Sequence, residues 1–315
     1  MIPLTDIKKA SEAIKDIAHR TPLLTSEQLN ERSGNRVSLK SEHLQKTGAF
    51  KIRGATNKVK QAVLDGAKYI TAASSGNHGQ AVAYIANQLN VPATIVVPED
   101  ANPAKLDAIE AYNGKIVKCG TTSAERIPKA IALAEEAGGT YIPPYDDSYI
   151  IAGQGTVGLE IIEQLPDVDV IIVPVGGGGL ISGILSAVKQ LNPKVKVIGV
   201  EPETANDTYL SLQNKQITAI PPTLTIADGL RTSQPGDVTF PILLKHLDDL
   251  VLVSEEEIKA ACRFVMERMK QVIEPSSAVS IAAVLSRKLA VQNKKVVAVV
   301  SGGNVDLKAL QDLIQ

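Results

Sequence analysis

Asp169-Val170-Ile171-Ile172-Val173-Pro174-Val175, followed at once by Gly176-Gly177-Gly178-Gly179-Leu180, is the stretch on which the fold turns. From Val168 to Val175 the chain is almost wholly apolar, the pattern of a strand buried on both faces rather than one with a wet side. A glycine run then leads into helical spacing over 180–191. Working outward, the same alternation recurs. Strands are predicted over 69–73, 93–97, 115–119, 195–200, 250–253 and 296–300, and helices over 80–89, 125–137, 150–164 and 254–270. Strand-helix alternation of this kind predicts an α/β protein with parallel sheets flanked by helices. Gly and Pro cluster over 138–145, and a second chain crossing is expected just before Tyr69. These breaks predict a small domain of residues 69–146, set into a large one built from 1–68 plus 147–315. A ligand would then sit in the interdomain cleft, at the carboxyl ends of the strands.

Composition narrows the function classes. The 315 residues carry a formal net charge of -1, with no block suited to nucleic acid or a membrane surface. The Glu255–Glu257 run is a helix start, with Ser254 and Glu257 forming a capping box. No apolar run reaches membrane-spanning length, and the N-terminal residues lack a signal-peptide core. The two cysteines, Cys119 and Cys262, lack metal spacing and are expected to be reduced core thiols of a cytoplasmic protein. With no Trp and three Phe, the core must be aliphatic.

Four loops carry the chemistry. Lys51 lies in Thr47-Gly48-Ala49-Phe50-Lys51-Ile52-Arg53-Gly54, behind a Gly-aromatic run and ahead of a helix-forming stretch. Desolvated there, its amine would titrate low enough to act as a nucleophile or base, which suits a Schiff base to an aldehyde. A helix-start lysine in a salt contact is the plain alternative. Ser74-Ser75-Gly76-Asn77-His78-Gly79-Gln80 joins a strand to a helix; it reads as an anion site at a helix N-terminus, or as an ordinary capped turn. Gly176 to Gly179 offer close backbone approach to a phosphate. A dinucleotide fold is the rival reading, with Glu201 in the ribose-binding place. However, Ser182 or Ile181 stands where that fingerprint wants Gly or Ala, so a monophosphate cup fits better. Ser301-Gly302-Gly303-Asn304 follows the strand over 296–300. Together the four describe a site for an aldehyde-bearing monophosphate cofactor.

With Ala152-Gly-Gln-Gly-Thr156, Ala227-Asp-Gly-Leu230 and Ser301-Gly-Gly-Asn-Val-Asp306 added, the chain resembles a known family over nearly its whole length. It is similar to the fold type II pyridoxal-phosphate enzymes of the tryptophan-synthase β-subunit class, specifically the serine racemase and serine/threonine dehydratase family. The resemblance implies that Lys51 forms the Schiff base and acts as base on one face of the substrate Cα. Phe50 would pack beside the cofactor ring and Asn77 would bond its phenolic oxygen. Gly176, Gly177, Gly178, Gly179 and Leu180 would hold its phosphate, and Ser301 would face its pyridine nitrogen. Ser74, Ser75, Asn77 and His78 would hold the substrate carboxylate, with Thr232 adding a hydroxyl contact.

Ser75 decides the expected reaction. Racemases of the family place a serine there, on the face opposite the lysine, whereas dedicated threonine dehydratases typically carry Ala. Two acid/base groups flanking one carbon allow racemisation, while one suffices for elimination. The expected activity is therefore racemisation of serine with β-elimination to pyruvate and ammonia. The alternative on the same scaffold is a threonine or 3-hydroxyaspartate dehydratase; from another class, it is an NAD-dependent oxidoreductase. The resemblance further implies a divalent cation (Mg²⁺, Mn²⁺ or Ca²⁺) on Glu201, the Ala205 carbonyl and Asp207, although acidic residues in a first helical turn are the plainer account of that segment. It also implies a homodimer, and Lys46 raises ATP or AMP as an effector.

Overall fold

The computed structural model describes residues 1–74, 76–101 and 103–314. Ten strands form two sheets. They are β1 (Leu23–Thr25), β2 (Arg36–Ser41), β3 (Ile70–Ala73), β4 (Ala93–Val97), β5 (Lys115–Lys118), β6 (Thr140–Tyr141), β7 (Val170–Pro174), β8 (Lys196–Pro202), β9 (Asp249–Val253) and β10 (Lys295–Val300). The six-stranded sheet runs β1-β2-β10-β7-β8-β9, and the four-stranded sheet β5-β4-β3-β6. Every pairing is parallel except β1 with β2. The expected α/β architecture is what the chain adopts.

β7 explains why its sequence is apolar throughout. Val170 and Ile172 face a core with the helices Glu255–Phe264 and Pro275–Leu285, while Ile171 and Val173 face another with Ser148–Gln164 and Gly179–Leu191. Successive side chains of a strand point to opposite faces, so both sets must be apolar when helices cover both.

The core under the small sheet also draws on the flanking chain: Ile52, Ala55, Val59 and Ala62 from the helix Lys51–Leu64 pack into it, as does Ile150. Two expectations need correction. The helix predicted over 254–270 is α-helical only over Glu255–Phe264. It continues as a π-helical turn, Val265–Met269, and Lys270 ends it at φ 58°. Cys262 is buried but Cys119 is only partly so; both are free.

Candidate active site

The functional loops meet because each leaves the carboxyl end of a parallel strand: residue 74 after β3, Gly176 after β7, Glu201 within the end of β8, and Ser301 after β10. The loop before Lys51 is stitched to the last of these. Phe50 donates its backbone N–H to the Ser301 carbonyl at 2.9 Å, Gly303 donates to Gly48 at 2.8 Å, and Ala49 bridges to Gly302.

Lys51 opens the helix Lys51–Leu64 and is partly buried. Its Nζ donates to the Pro144 carbonyl at 2.6 Å and lies 5.2 Å from the Phe50 ring centroid. Burial lowers its pKa to about 8, against the opposing pull of the Glu274 charge. A free amine is therefore accessible near neutral pH. Two residues on, Arg53 anchors the same helix. Its guanidinium donates to both oxygens of Glu42 (2.7 and 2.8 Å) and both of Glu160 (2.7 and 2.9 Å). The Ala152–Thr156 motif also serves this helix. A Cβ on Gly153 would fall 2.6 Å from Gly54 Cα, so only glycine allows Ser148–Gln164 this close to Lys51–Leu64.

Gly177, Gly178 and Gly179 are buried, and the helix Gly179–Leu191 begins there. Among the described residues no backbone carbonyl accepts from the amides of Gly176, Gly177 or Gly178. Buried amides without acceptors at a helix start are a ready anion site. The Tyr145 side chain lies along this loop: a Cβ on Gly177 would fall 2.4 Å from its Cζ, and one on Gly179 would fall 2.8 Å from its Cβ. Burial, then nearby aspartates, pushes the Tyr145 phenol up to about 12, so it stays protonated.

The Asn77 side chain is held from two sides. Its Nδ2 donates to both carboxylate oxygens of Glu274, at 2.9 and 3.0 Å, and its Oδ1 accepts from Asn304 Nδ2 at 2.8 Å. Glu274 is a residue that the sequence reading missed. An acid directly before Pro275 looks like a helix cap, and only its isolation between Ile273 and Pro275 signalled more. Ser301 is buried, with its Oγ 3.0 Å from Ser277 Oγ, another hydroxyl not anticipated.

The carboxylate-binding set is only partly assembled. Ser74 Oγ accepts from the Gly76 amide at 3.2 Å, while Ser75 lies outside the described residues. The His78 ring turns away, its Nε2 2.9 Å from the Ile142 carbonyl. That contact requires a proton on Nε2; burial, then the Lys51 charge, lowers the ring pKa to about 3. Any anion contact from His78 must come from its backbone N–H. Thr232 Oγ1 lies 3.3 and 3.4 Å from the two Asp207 carboxylate oxygens.

Glu201, Ala205 and Asp207 are all fully buried. Glu201 accepts from the amides of Thr208 (3.1 Å) and Tyr209 (2.9 Å), so it is not free to meet a ribose, as the dinucleotide reading required. Burial raises the pKa of both carboxyls, and the Asp207 charge raises Glu201 further. Thr208 Oγ1 beside them is buried with no hydrogen-bond partner among the described residues. Among the described residues no three His, Cys, Asp or Glu side chains converge as a metal cluster. A cation at this pair would need main-chain and water oxygens to complete its shell. Such a donor set suits Mg²⁺, Mn²⁺ or Ca²⁺ rather than a soft ion.

Comparison with known proteins agrees with this geometry. The family model "Pyridoxal-phosphate dependent enzyme" matches residues 14–302. An L-threonine ammonia-lyase of Thermotoga maritima is 44% identical, over 100% of this chain and 78% of its own. A serine racemase of Dictyostelium discoideum is also 44% identical, over 99% of this chain and 98% of its own. The solved structure of maize serine racemase superposes with a TM-score of 0.94 at 38% identity, covering 98% of this chain and 96% of that one.

Proposed function

Because this chain belongs to the pyridoxal-phosphate dependent enzyme family, we propose that it is a serine racemase that also eliminates water from serine. The observation that carries the reading is a partly buried amine of lowered pKa, Lys51, among loops whose donors suit a monophosphate aldehyde. Similarity to a serine racemase over nearly the full length of both chains supports the choice of reaction. So does the serine at position 75.

Lys51 would hold the cofactor through its amine, Asn77 its phenolic oxygen, and Ser301 its ring nitrogen. Phe50 would flank the ring, and the amides from Gly176 to Leu180 would take its phosphate. When bound, pyridoxal phosphate supplies an aldehyde carbon for the substrate amine and a conjugated ring that accepts the electron pair left at Cα. The neutral Ser301 hydroxyl does not enforce a proton on the ring nitrogen as a carboxylate would. Ser74, the Asn77 and His78 amides, and Ser75 would orient the substrate carboxylate. Lys51 Nζ takes the Cα proton from one face, and Ser75 Oγ returns one from the other, which inverts the centre. Where the β-hydroxyl leaves first, the product hydrolyses to pyruvate and ammonia.

Dehydration of threonine is the second reading, favoured by the 44% identity to an L-threonine ammonia-lyase; 3-hydroxyaspartate is a further candidate substrate. We also propose a divalent ion at Glu201, Ala205 and Asp207, a homodimer, the 69–146 and 1–68 plus 147–315 units as domains, and a cytoplasmic setting. Among the described residues no helix is long and apolar enough to cross a membrane. Lys46 makes ATP or AMP a candidate effector.

The deciding experiment assays L-serine, D-serine, L-threonine and 3-hydroxyaspartate in parallel. D-Serine formed from L-serine supports the racemase; keto acid from threonine with no D-serine transfers the assignment to the second reading. Ser75→Ala should abolish D-serine formation and retain much of the elimination. Equal loss of both would remove Ser75 from its role. Borohydride reduction should bleach the visible band and label Lys51.

A further inference from the structure

Glu274 is 5% exposed, and its carboxylate sits between elements of both sheets. It directly precedes the helix Pro275–Leu285, which packs on the large sheet, and its backbone N–H donates to the Gly302 carbonyl at 3.2 Å. Its two oxygens take the amide of Asn77, the first residue of the helix Asn77–Gln88 beside the small sheet. Asn304, from the segment after β10, closes the arrangement by donating to Asn77 Oδ1 at 2.8 Å and to the Thr47 carbonyl at 2.8 Å.

We propose that Glu274 is a positioning residue, whose carboxylate fixes the Asn77 amide across the gap between the two sheets and presents it to the cofactor beside Lys51. The inference rests on the functional reading above, and it adds a residue that the family motifs quoted from this sequence do not contain.

Three physical points carry it. An Asn amide can be turned over without changing shape, and only its partners decide which end bears the donors. Glu274 is acceptor-only when ionised, so it requires Nδ2 on its side; one N–H shared between its two oxygens leaves the second for the cofactor and Oδ1 for Asn304. A glutamine at 274 would offer one acceptor and two donors, and would no longer exclude the flipped amide. The second point is energetic. The carboxylate is buried with amide partners and no ion pair among the described residues, and burial pushes it up to about 7. Such a group costs stability relative to a neutral isostere, so stability does not account for its presence. The third is location: the Lys51 ammonium feels the Glu274 charge, which places the acid within electrostatic reach of the reacting amine.

The test uses the full-length protein as wild type, Glu274→Gln, Asn77→Ala and the double variant. Each is stripped of cofactor, melted, titrated with pyridoxal phosphate by visible absorbance, and assayed with L-serine. Loss of a charge-assisted hydrogen bond should weaken cofactor affinity about ten- to a hundred-fold in Glu274→Gln and lower kcat similarly. Its apoprotein should melt within about 2 °C of wild type, or higher. Because both residues act through one contact, adding Asn77→Ala to Glu274→Gln should cost less than about three-fold more. Three results would overturn the proposal: unchanged affinity and kcat in Glu274→Gln, losses that multiply in the double variant, or a drop in apoprotein melting that accounts for the lost activity. A wild type that binds no pyridoxal phosphate would overturn the functional reading and this inference with it. Normal wild-type binding matched by Glu274→Gln would sink this inference alone.

Discussion

Buried Glu42 and half-buried Glu160 sit in ion pairs, whereas buried Glu201, Asp207 and Glu274 form none among the described residues. In the first set Arg53 bridges both acids and Lys40 Nζ adds a contact to Glu160 at 2.5 Å. Burial alone would raise the Glu42 pKa, but the Arg53 charge and hydrogen bonds outweigh it and the net shift is downward. Lys40 also donates to the Thr21 carbonyl and to Gln164. In the second set no ion pair among the described residues includes any of the three acids. Their pKa values rise instead. A buried acid whose partners the chain supplies belongs to the architecture. One left with a raised pKa awaits a proton or something the chain does not supply. The first set fixes the Lys51 helix through Arg53.

The largest effect expected from this contrast is at Arg53. Replacing it with methionine keeps the volume roughly constant but leaves Glu42 without its cation and Glu160 with only Lys40. Breaking a buried pair from one side typically costs about 3–5 kcal/mol. Urea unfolding of Arg53→Met should show a loss of that size. A loss below about 1 kcal/mol, the value of an exposed pair, would put the two sets of carboxylates on the same footing.

Next comes the Glu201–Asp207 pair. Both folded-state pKa values are raised above the unfolded ones. Across the window from about 4 upward through neutrality, the folded protein thus holds more protons than the unfolded chain. Stability from this pair is therefore greatest at the acid end and falls as pH rises. A divalent ion bound at the pair would take the place of those protons, so Mg²⁺ should raise the melting temperature more at pH 8 than at pH 5.5. Saturating ion at about a hundred times its dissociation constant would add about 2.7 kcal/mol. Chelation with EDTA should lower activity and melting together, and Mg²⁺ should restore both. Asp207→Asn should melt no lower than wild type in EDTA and lose the Mg²⁺ response. Equal Mg²⁺ responses in wild type and Asp207→Asn would remove the cation from this pair.

The contrast also shows what a sequence can disclose. β7 and its glycine loop were legible because burial on both faces and close backbone approach each demand particular residues locally. Lys51 was legible for the same reason. β2 was not anticipated, although Val37 and Leu39 alternate with polar neighbours, because its Lys40 is fully buried. Lysine at that place is sensible only once Glu160 and Gln164, more than a hundred residues away, are known to meet it. Glu274 and Ser277 were hidden likewise: their meaning lies in Asn77 and Ser301, brought to them by the fold. The contact of Thr232 with Asp207 likewise depends on loop geometry no local pattern encodes.

His78 gives the smallest effect and tests the contrast from its other side, since it is buried with no ion pair among the described residues and yet needs no ligand. It meets the requirement by staying neutral and donating to Ile142. Its pKa is lowered from 6.5 to about 3, so the unfolded chain binds a proton in that range that the folded protein refuses. Stability from this residue is complete above about pH 6.5 and is lost as pH falls toward 3. By pH 5 the loss amounts to about 2 kcal/mol. His78→Gln keeps a donor for the Ile142 carbonyl and removes the titration. Its melting temperature should therefore fall less than that of wild type between pH 7 and pH 5, whatever its value at pH 7. Parallel curves would mean that His78 takes up its proton in the folded state, and the ring would then be available as a cation to the substrate carboxylate after all.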